Sequence, residues 1–143
     1  MKKSLLFLQL AWLQTIVAVL GSLYYSEVLE FTPCVLCWYQ RIAMYPQVLI
    51  LGIAAFKEDF HALRYTVPLT IIGLLISVYH NALYYHLIPA SITPCKSGVS
   101  CTTAQVTYLG FITIPLMALA AFAVILTCSV LALKGGNKKV IGL

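Results

Sequence analysis

The chain has 143 residues, of which 62% are hydrophobic and only 9% charged, with a mean hydropathy of +0.95. An ordinary soluble domain is about half apolar and about a quarter charged, so a water-soluble globule, a disordered chain and a nucleic-acid binder are excluded as first readings. The net charge of +5 comes from nine Lys/Arg against four acids, and most of those cations stand at the edges of apolar runs, where they report topology.

Four apolar runs follow one another, roughly 5–25, 37–56, 65–85 and 109–133. Each is long enough to cross about 30 Å of hydrocarbon at about 1.5 Å per residue. The first is preceded by Lys2 and Lys3, as in a signal peptide. It outruns the roughly 7–15 residues of a signal core, and no small-x-small cleavage motif follows Tyr24–Tyr25, so an uncleaved helix is expected. Pro46, Pro68 and Pro115 lie in or near runs two, three and four. Each removes a backbone donor and is read as an ordinary irregularity of a membrane helix. With short connections, four antiparallel spans make an up-down-up-down bundle. The expected architecture is therefore an all-α integral membrane protein, one four-helix domain over 1–143.

Orientation follows from the cations. Lys2, Lys3, Lys57, Arg64, Lys134, Lys138 and Lys139 fall on one side of the four-span arrangement, and only Arg41 and Lys96 on the other. Seven against two places both termini and the 57–64 loop in the cytoplasm. Segments 26–36 and 86–108 are then outside. Tyr24, Tyr25, Trp38, Tyr39, Tyr84, Tyr85 and Tyr108 gather at that outer boundary, where amphipathic rings form a belt. His61 is expected to be solvated. His80, near the outer end of the third run, is expected to be a neutral, hydrogen-bonded histidine, although an ionisable group there is also a functional candidate. His80 and His86 are six residues apart and do not share a helix face.

Five cysteines carry the chemistry. Cys34 and Cys37 form a Cys-Val-Leu-Cys motif after Pro33, and Cys95 and Cys101 form a Cys-x5-Cys pair in the second outer segment. The lysine and arginine count alone places both pairs on the oxidising side, where disulfides persist. Cys128 lies alone in the fourth run and is read as a small apolar residue. Pro33 stops a helix upstream, so a helix is expected to begin at or just after Cys34. Its free N–H groups and positive dipole end then favour a thiolate. Arg41 is four residues after Cys37, one turn on along the same face. Such a cation can stabilise a thiolate, or a quinone oxygen as it gains electron density. Alone, each feature has a plainer reading: half a metal site, a loop staple, or an arginine reaching lipid phosphate. A staple over so short a loop removes only about 2 kcal/mol of unfolded-chain entropy, which favours exchange chemistry for the second pair.

These residues give the chain a resemblance to the DsbB family of membrane disulfide-bond formation proteins. The resemblance rests on four spans, Pro33-Cys34-Val35-Leu36-Cys37 opening the second, Tyr39 and Arg41 behind it, a cysteine pair between spans three and four, and Gly110 with Pro115 leading into the fourth. The short Cys-x5-Cys loop resembles the compact members often called BdbC and departs from the proteobacterial pattern, whose second pair is widely separated.

The resemblance implies a quinone-dependent thiol:disulfide oxidoreductase of the bacterial plasma membrane, supporting disulfide formation in secreted proteins. It implies a thioredoxin-like extracytoplasmic thiol oxidase (DsbA- or BdbD-like) as partner, with Cys95 taking the mixed disulfide. Electrons would pass through Cys101 and Cys34 to the Cys34–Cys37 pair, and Cys37 would face a ubiquinone or menaquinone with Arg41 beside the ring. No metal is part of this reading. A tetrathiolate metal site built from the same four sulfurs and a tetraspan scaffold with structural disulfides are the competing readings. Vitamin K epoxide reductases share four helices, Cys-x-x-Cys and quinone, but carry the two pairs in the opposite order.

Overall fold

The computed structural model describes residues 2–95, 99–102 and 107–137; Lys96, Lys138 and Lys139, used above for topology, lie outside them. Helix α1 spans Lys2–Leu23 and widens into a π turn over Tyr24–Val28. Helix α2 spans Val35–Lys57, α3 spans Leu63–Tyr84 and α4 spans Ile114–Asn137. Short 3-10 turns at Phe60–Ala62 and Ala90–Ile92 lead into α3 and follow it.

The helices form a closed ring in which α1 packs on α2 and α4, and α3 on α2 and α4. Cross-helix contacts fix the directions. Trp12 Nε1 donates to the Val48 carbonyl (3.0 Å) and Arg41 Nη2 to that of Ser22 (3.0 Å), so α1 and α2 run oppositely. The Thr70–Gln47 bond (2.8 Å) and the Gln40–His80 contact (3.3 Å) do the same for α2 and α3. Gly73 lies against Phe122 while Asn81 Nδ2 donates to the Pro115 carbonyl (2.8 Å), which sets α3 against α4. Gly135 touches Ser4 and Gly136 touches Phe60, which brings the start of α1, the turn after α2 and the end of α4 to one end of the bundle.

Burial is distributed as a lipid-facing bundle requires. Leu13, Leu20, Leu49, Phe56, Leu75 and Val78 point outward and are at least half exposed. Thr15, Thr66, Thr70, Ser77 and Ser129 are fully buried, because small residues permit close helix approach, and the first four bond to backbone carbonyls of their own helices. Two glycines are set by neighbours rather than by turn geometry. A Cβ on Gly52 would stand 2.9 Å from the Trp12 indole nitrogen, and one on Gly73 would collide with the Phe122 ring.

Three helical segments, Lys2–Val28, Phe60–Tyr84 and Ile114–Gly136, are each long and apolar enough to cross a membrane. Helix α2 is as long but carries Gln40, Arg41 and Gln47. Both glutamines are turned into the bundle, at 6% and 0% exposure, so average hydropathy understates how apolar its outer face is. The protein is thus a helical membrane bundle.

Two local differences from the sequence reading stand out. The fourth helix starts at Ile114 rather than near 109, because Thr107–Tyr108 pairs antiparallel with Ile112–Thr113. Leu109 and Gly110 turn that hairpin at φ 54° and 80°, a left-handed conformation that costs glycine little and that a helix cannot use. Of the prolines, Pro46 and Pro68 lie inside their helices, whereas Pro115 is in the first turn of α4, where a missing N–H costs nothing.

Candidate redox site

Cys34 sits where α2 begins. Pro33 prevents the helix from reaching further back, and Cys34 is extended (φ −72°, ψ 170°) as the N-cap. Its sulfur accepts the Cys37 backbone N–H at 3.4 Å, taking the place that an oxygen occupies in a serine cap. One turn of helix brings the Cys37 sulfur to 2.9 Å from that of Cys34, and both are free thiols. Cys34 precedes the helix and lies outside the apolar spans. The hydrogen bond from Cys37 lowers its pKa to about 4, against the opposing effect of burial, with a further lowering from His80. The thiolate expected from the helix start therefore falls on the first sulfur.

The second pair is closed as a Cys95–Cys101 disulfide with Cα atoms 6.0 Å apart. It packs in one apolar cluster with Cys34, Cys37, Leu36, Leu83, Tyr79 and Ile88. Cys34 and Cys101 are the buried sulfurs of the two pairs, at 6% and 4% exposure. Tyr79 Oη donates to the Ile92 carbonyl (3.2 Å) and ties the loop to α3 beside them. All four site cysteines thus come together at one end of the bundle. Because Cys95 and Cys101 are bonded to each other, the four sulfurs do not converge as a tetrathiolate set. Cys128 stands apart and packs against the main core.

On the other side of Cys37 is a cavity of about 630 Å³ between α1, α2 and α4, within the size range of small-molecule sites. Cys37, Arg41, Gln40, Tyr25, Met117 and Phe122 are among its walls. The Arg41 guanidinium donates to the Ser22 carbonyl (3.0 Å) and lies 5.4 Å from the Trp38 ring centroid. That carbonyl is also approached by Ser26 Oγ at 3.3 Å, where α1 widens into its π turn. Helix widenings of this kind recur at functional sites. Arg41 is therefore a fixed wall of the cavity rather than a chain extended to the surface.

Gln40 is a residue of the site that the sequence does not single out, whereas His80 is buried and hydrogen-bonded as expected. His80 is 2% exposed, with Nε2 3.8 Å from the Cys34 sulfur and Nδ1 3.3 Å from Gln40 Nε2. The only sequence signals are an ionisable group within a span and a glutamine three residues after Cys37. His86 instead ends α3 at φ 57°, exposed, and His61 is two-thirds exposed beside Asp59 at 3.3 Å.

Comparison with known proteins agrees with the geometry. Residues 3–132 match the family model described as disulfide bond formation protein DsbB. Disulfide bond formation protein C of Bacillus subtilis is 48% identical over 128 residues, covering 88% of this chain and 91% of its own. A probable disulfide formation protein of Oceanobacillus iheyensis is 43% identical with 96% of each chain covered, and one of Chlamydia trachomatis is 45% identical over 89% of this chain and 92% of its own. No solved structure matches. The chain belongs to the DsbB family of membrane oxidoreductases that support disulfide bond formation.

Proposed function

We propose that the protein reoxidises a thioredoxin-like extracytoplasmic thiol oxidase and delivers the electrons to a membrane quinone. The observation that carries this reading is the position of Cys37. Its sulfur is 2.9 Å from Cys34, which shares a cluster with Cys101, and it also forms part of the wall of the cavity that contains Arg41. One sulfur thus adjoins both an electron source and a space for an acceptor.

The exchange steps balance without any further reactant. A partner thiolate attacks Cys95 and breaks the Cys95–Cys101 bond, releasing Cys101 as a thiolate. Cys101 attacks Cys34 of an oxidised inner pair, and Cys37 leaves as a thiolate. The second partner thiol resolves the mixed disulfide on Cys95, and Cys95 then attacks Cys101 and frees Cys34. The partner leaves oxidised, the loop pair is again a disulfide, and the inner pair holds two electrons as a dithiol. A buried, hydrogen-bonded Cys34 is a good leaving sulfur in that sequence.

A quinone fits the cavity by size and by its largely apolar walls. Cys37 and Arg41 would hold it, and when bound it supplies a two-electron acceptor that the protein lacks. Arg41, fixed by the Ser22 carbonyl, places a permanent cation where negative charge develops, without reorganisation.

The single domain over 1–143, with all four helices crossing the membrane and both termini cytoplasmic, belongs to the same reading. Lys2, Lys3, Lys57, Arg64 and Lys134 lie toward the end of the ring opposite the four site cysteines, which supports the cysteines being extracytoplasmic.

The test is anaerobic mixing of the purified chain with a reduced thioredoxin-like oxidase while quinone absorbance is followed. Quinone should be reduced in step with partner oxidation, and Cys37→Ser should abolish it. Partner oxidation that proceeds without consuming quinone would refute the reading. An impermeant thiol reagent on intact, reduced cells should label one of the four site cysteines but never Cys128; labelling only after lysis would reverse the orientation.

A further inference from the structure

Beside Cys34, α2 and α3 bring together two polar side chains that the electron path above does not use. His80, Gln40 and Cys34 are all more than nine-tenths buried. Gln40 presents its amide nitrogen to His80 Nδ1 at 3.3 Å. An amide nitrogen only donates, so Nδ1 accepts, and the proton of a neutral imidazole is then on Nε2. That nitrogen is 3.8 Å from the Cys34 sulfur, within reach of a hydrogen bond to sulfur. The cap bond from the Cys37 N–H comes from the sulfur's own helix; the imidazole N–H comes from α3. Of the described titratable or charged groups near this sulfur, Cys37 and Arg41 are on α2, His80 and Tyr79 are on α3, with the Tyr79 hydroxyl donating to the Ile92 carbonyl, and Cys95 and Cys101 are bonded to each other.

We propose that Gln40 fixes the tautomer of His80 and that the His80 Nε2–H holds Cys34 as a thiolate, which biases the inner pair toward its reduced form. His80 touches the reacting sulfur; Gln40 is a positioning residue that acts through it. A disulfide carries no charge for the N–H to bind, so the interaction exists chiefly in the reduced pair. Without it, the inner pair would be a weaker electron acceptor for the loop pair. The inference rests on the reading of Cys34–Cys37 as the couple that receives those electrons.

The equilibrium with glutathione tests it without quinone or partner. The inner disulfide and two glutathione thiols give the Cys34 thiolate, the Cys37 thiol, glutathione disulfide and one released proton. Full-length protein in detergent is equilibrated at fixed glutathione ratios, and the two pairs are quantified separately by differential alkylation and peptide mass spectrometry. His80→Leu should shift the inner pair toward disulfide by about tenfold or more, which is about 30 mV for a two-electron couple. Gln40→Leu should shift it less in the same direction, and His80→Gln, which keeps an N–H donor, should recover most of the loss. The loop pair should not move.

An unchanged inner pair in His80→Leu, or an equal shift in both pairs, would overturn the proposal. So would stoichiometric zinc retained by the reduced wild type and lost in His80→Leu, since the group would then be a metal site. If His80→Leu does not fold, Gln40→Leu decides: a shift confined to the inner pair supports the proposal and no shift overturns it. Failure here would leave quinone reduction standing, and failure of quinone reduction would leave this equilibrium unchanged.

Discussion

Gly73→Ala tests whether the cavity wall is braced from behind. Phe122 is fully buried and is one of the cavity walls, and its ring also meets Gly73 of α3. A Cβ at position 73 would overlap the ring edge formed by Cε1 and Cζ. Two effects oppose each other. Alanine improves helix propensity by about 1 kcal/mol, whereas overpacking a tight core costs about 1–3 kcal/mol. A rigid aromatic ring cannot yield as a flexible chain end does, so the overpacking term should win, with a net loss of about 1 kcal/mol. The ring is part of the cavity wall, so pushing it away from α3 should reshape that space, and quinone affinity should fall with stability. Reversible unfolding in detergent and a quinone titration measure the two. Phe122→Leu should remove the obstacle, so that in the double variant the glycine substitution costs about 1 kcal/mol less than it does alone. Additive effects, or a Gly73→Ala protein more stable than the parent with unaltered quinone affinity, would show that the ring and glycine are not in the contact described.

The remaining predictions concern the site and the helix contacts that hold it. Arg41→Ala should reduce quinone reduction roughly a hundredfold while leaving exchange between partner and loop pair largely intact, as rapid-mixing measurements of the two half-reactions would show; equal losses would contradict its place in the cavity. Because the Cys34 thiol is lowered to about 4, its thiolate persists down to mildly acidic pH and is lost as pH falls through that value. Ultraviolet thiolate absorbance of the reduced protein should therefore stay level from neutral pH to about pH 5, where an ordinary thiol near 8.5 is already protonated. Cys37→Ala, which leaves no side-chain donor, should move that transition upward by removing the largest stabilising contact. Trp12→Phe deletes the bond to the Val48 carbonyl and should cost about 0.6 kcal/mol in unfolding, the usual scale for a polar helix contact within a membrane.

The sequence reveals what depends on neighbours along the chain. Pro33 and the cysteine spacing locate the start of α2, because a proline and a helix cap act within one turn. The i, i+4 relation places Arg41 and Cys37 on one face, and both do form part of the same cavity wall. The apolar runs find all four helices, since membrane burial leaves long unbroken stretches. The fourth start is misplaced because Leu109, Phe111 and Ile112 are as apolar as helix residues, and only Gly110 marks the turn. Hydropathy cannot tell a short hairpin from the first turn of a span.

His80 shows a different limit. Nothing local connects it to Cys34, which is 46 residues away. The link appears only once α2 and α3 are set antiparallel in one register, with Gln47 opposite Thr70 and Gln40 opposite His80. Those pairs lie seven residues apart on α2 and ten on α3, close to two turns and three. The Gln47–Thr70 bond in the bundle interior and the Gln40–His80 contact beside the sulfur thus share one helix register. A fully buried hydrogen bond far from the chemistry thereby helps decide whether the histidine meets Cys34. Moving α3 by one residue would rotate both Thr70 and His80 about 100° away from their partners, so stability and reactivity should fail together for a shift of register, but separately for loss of the imidazole alone.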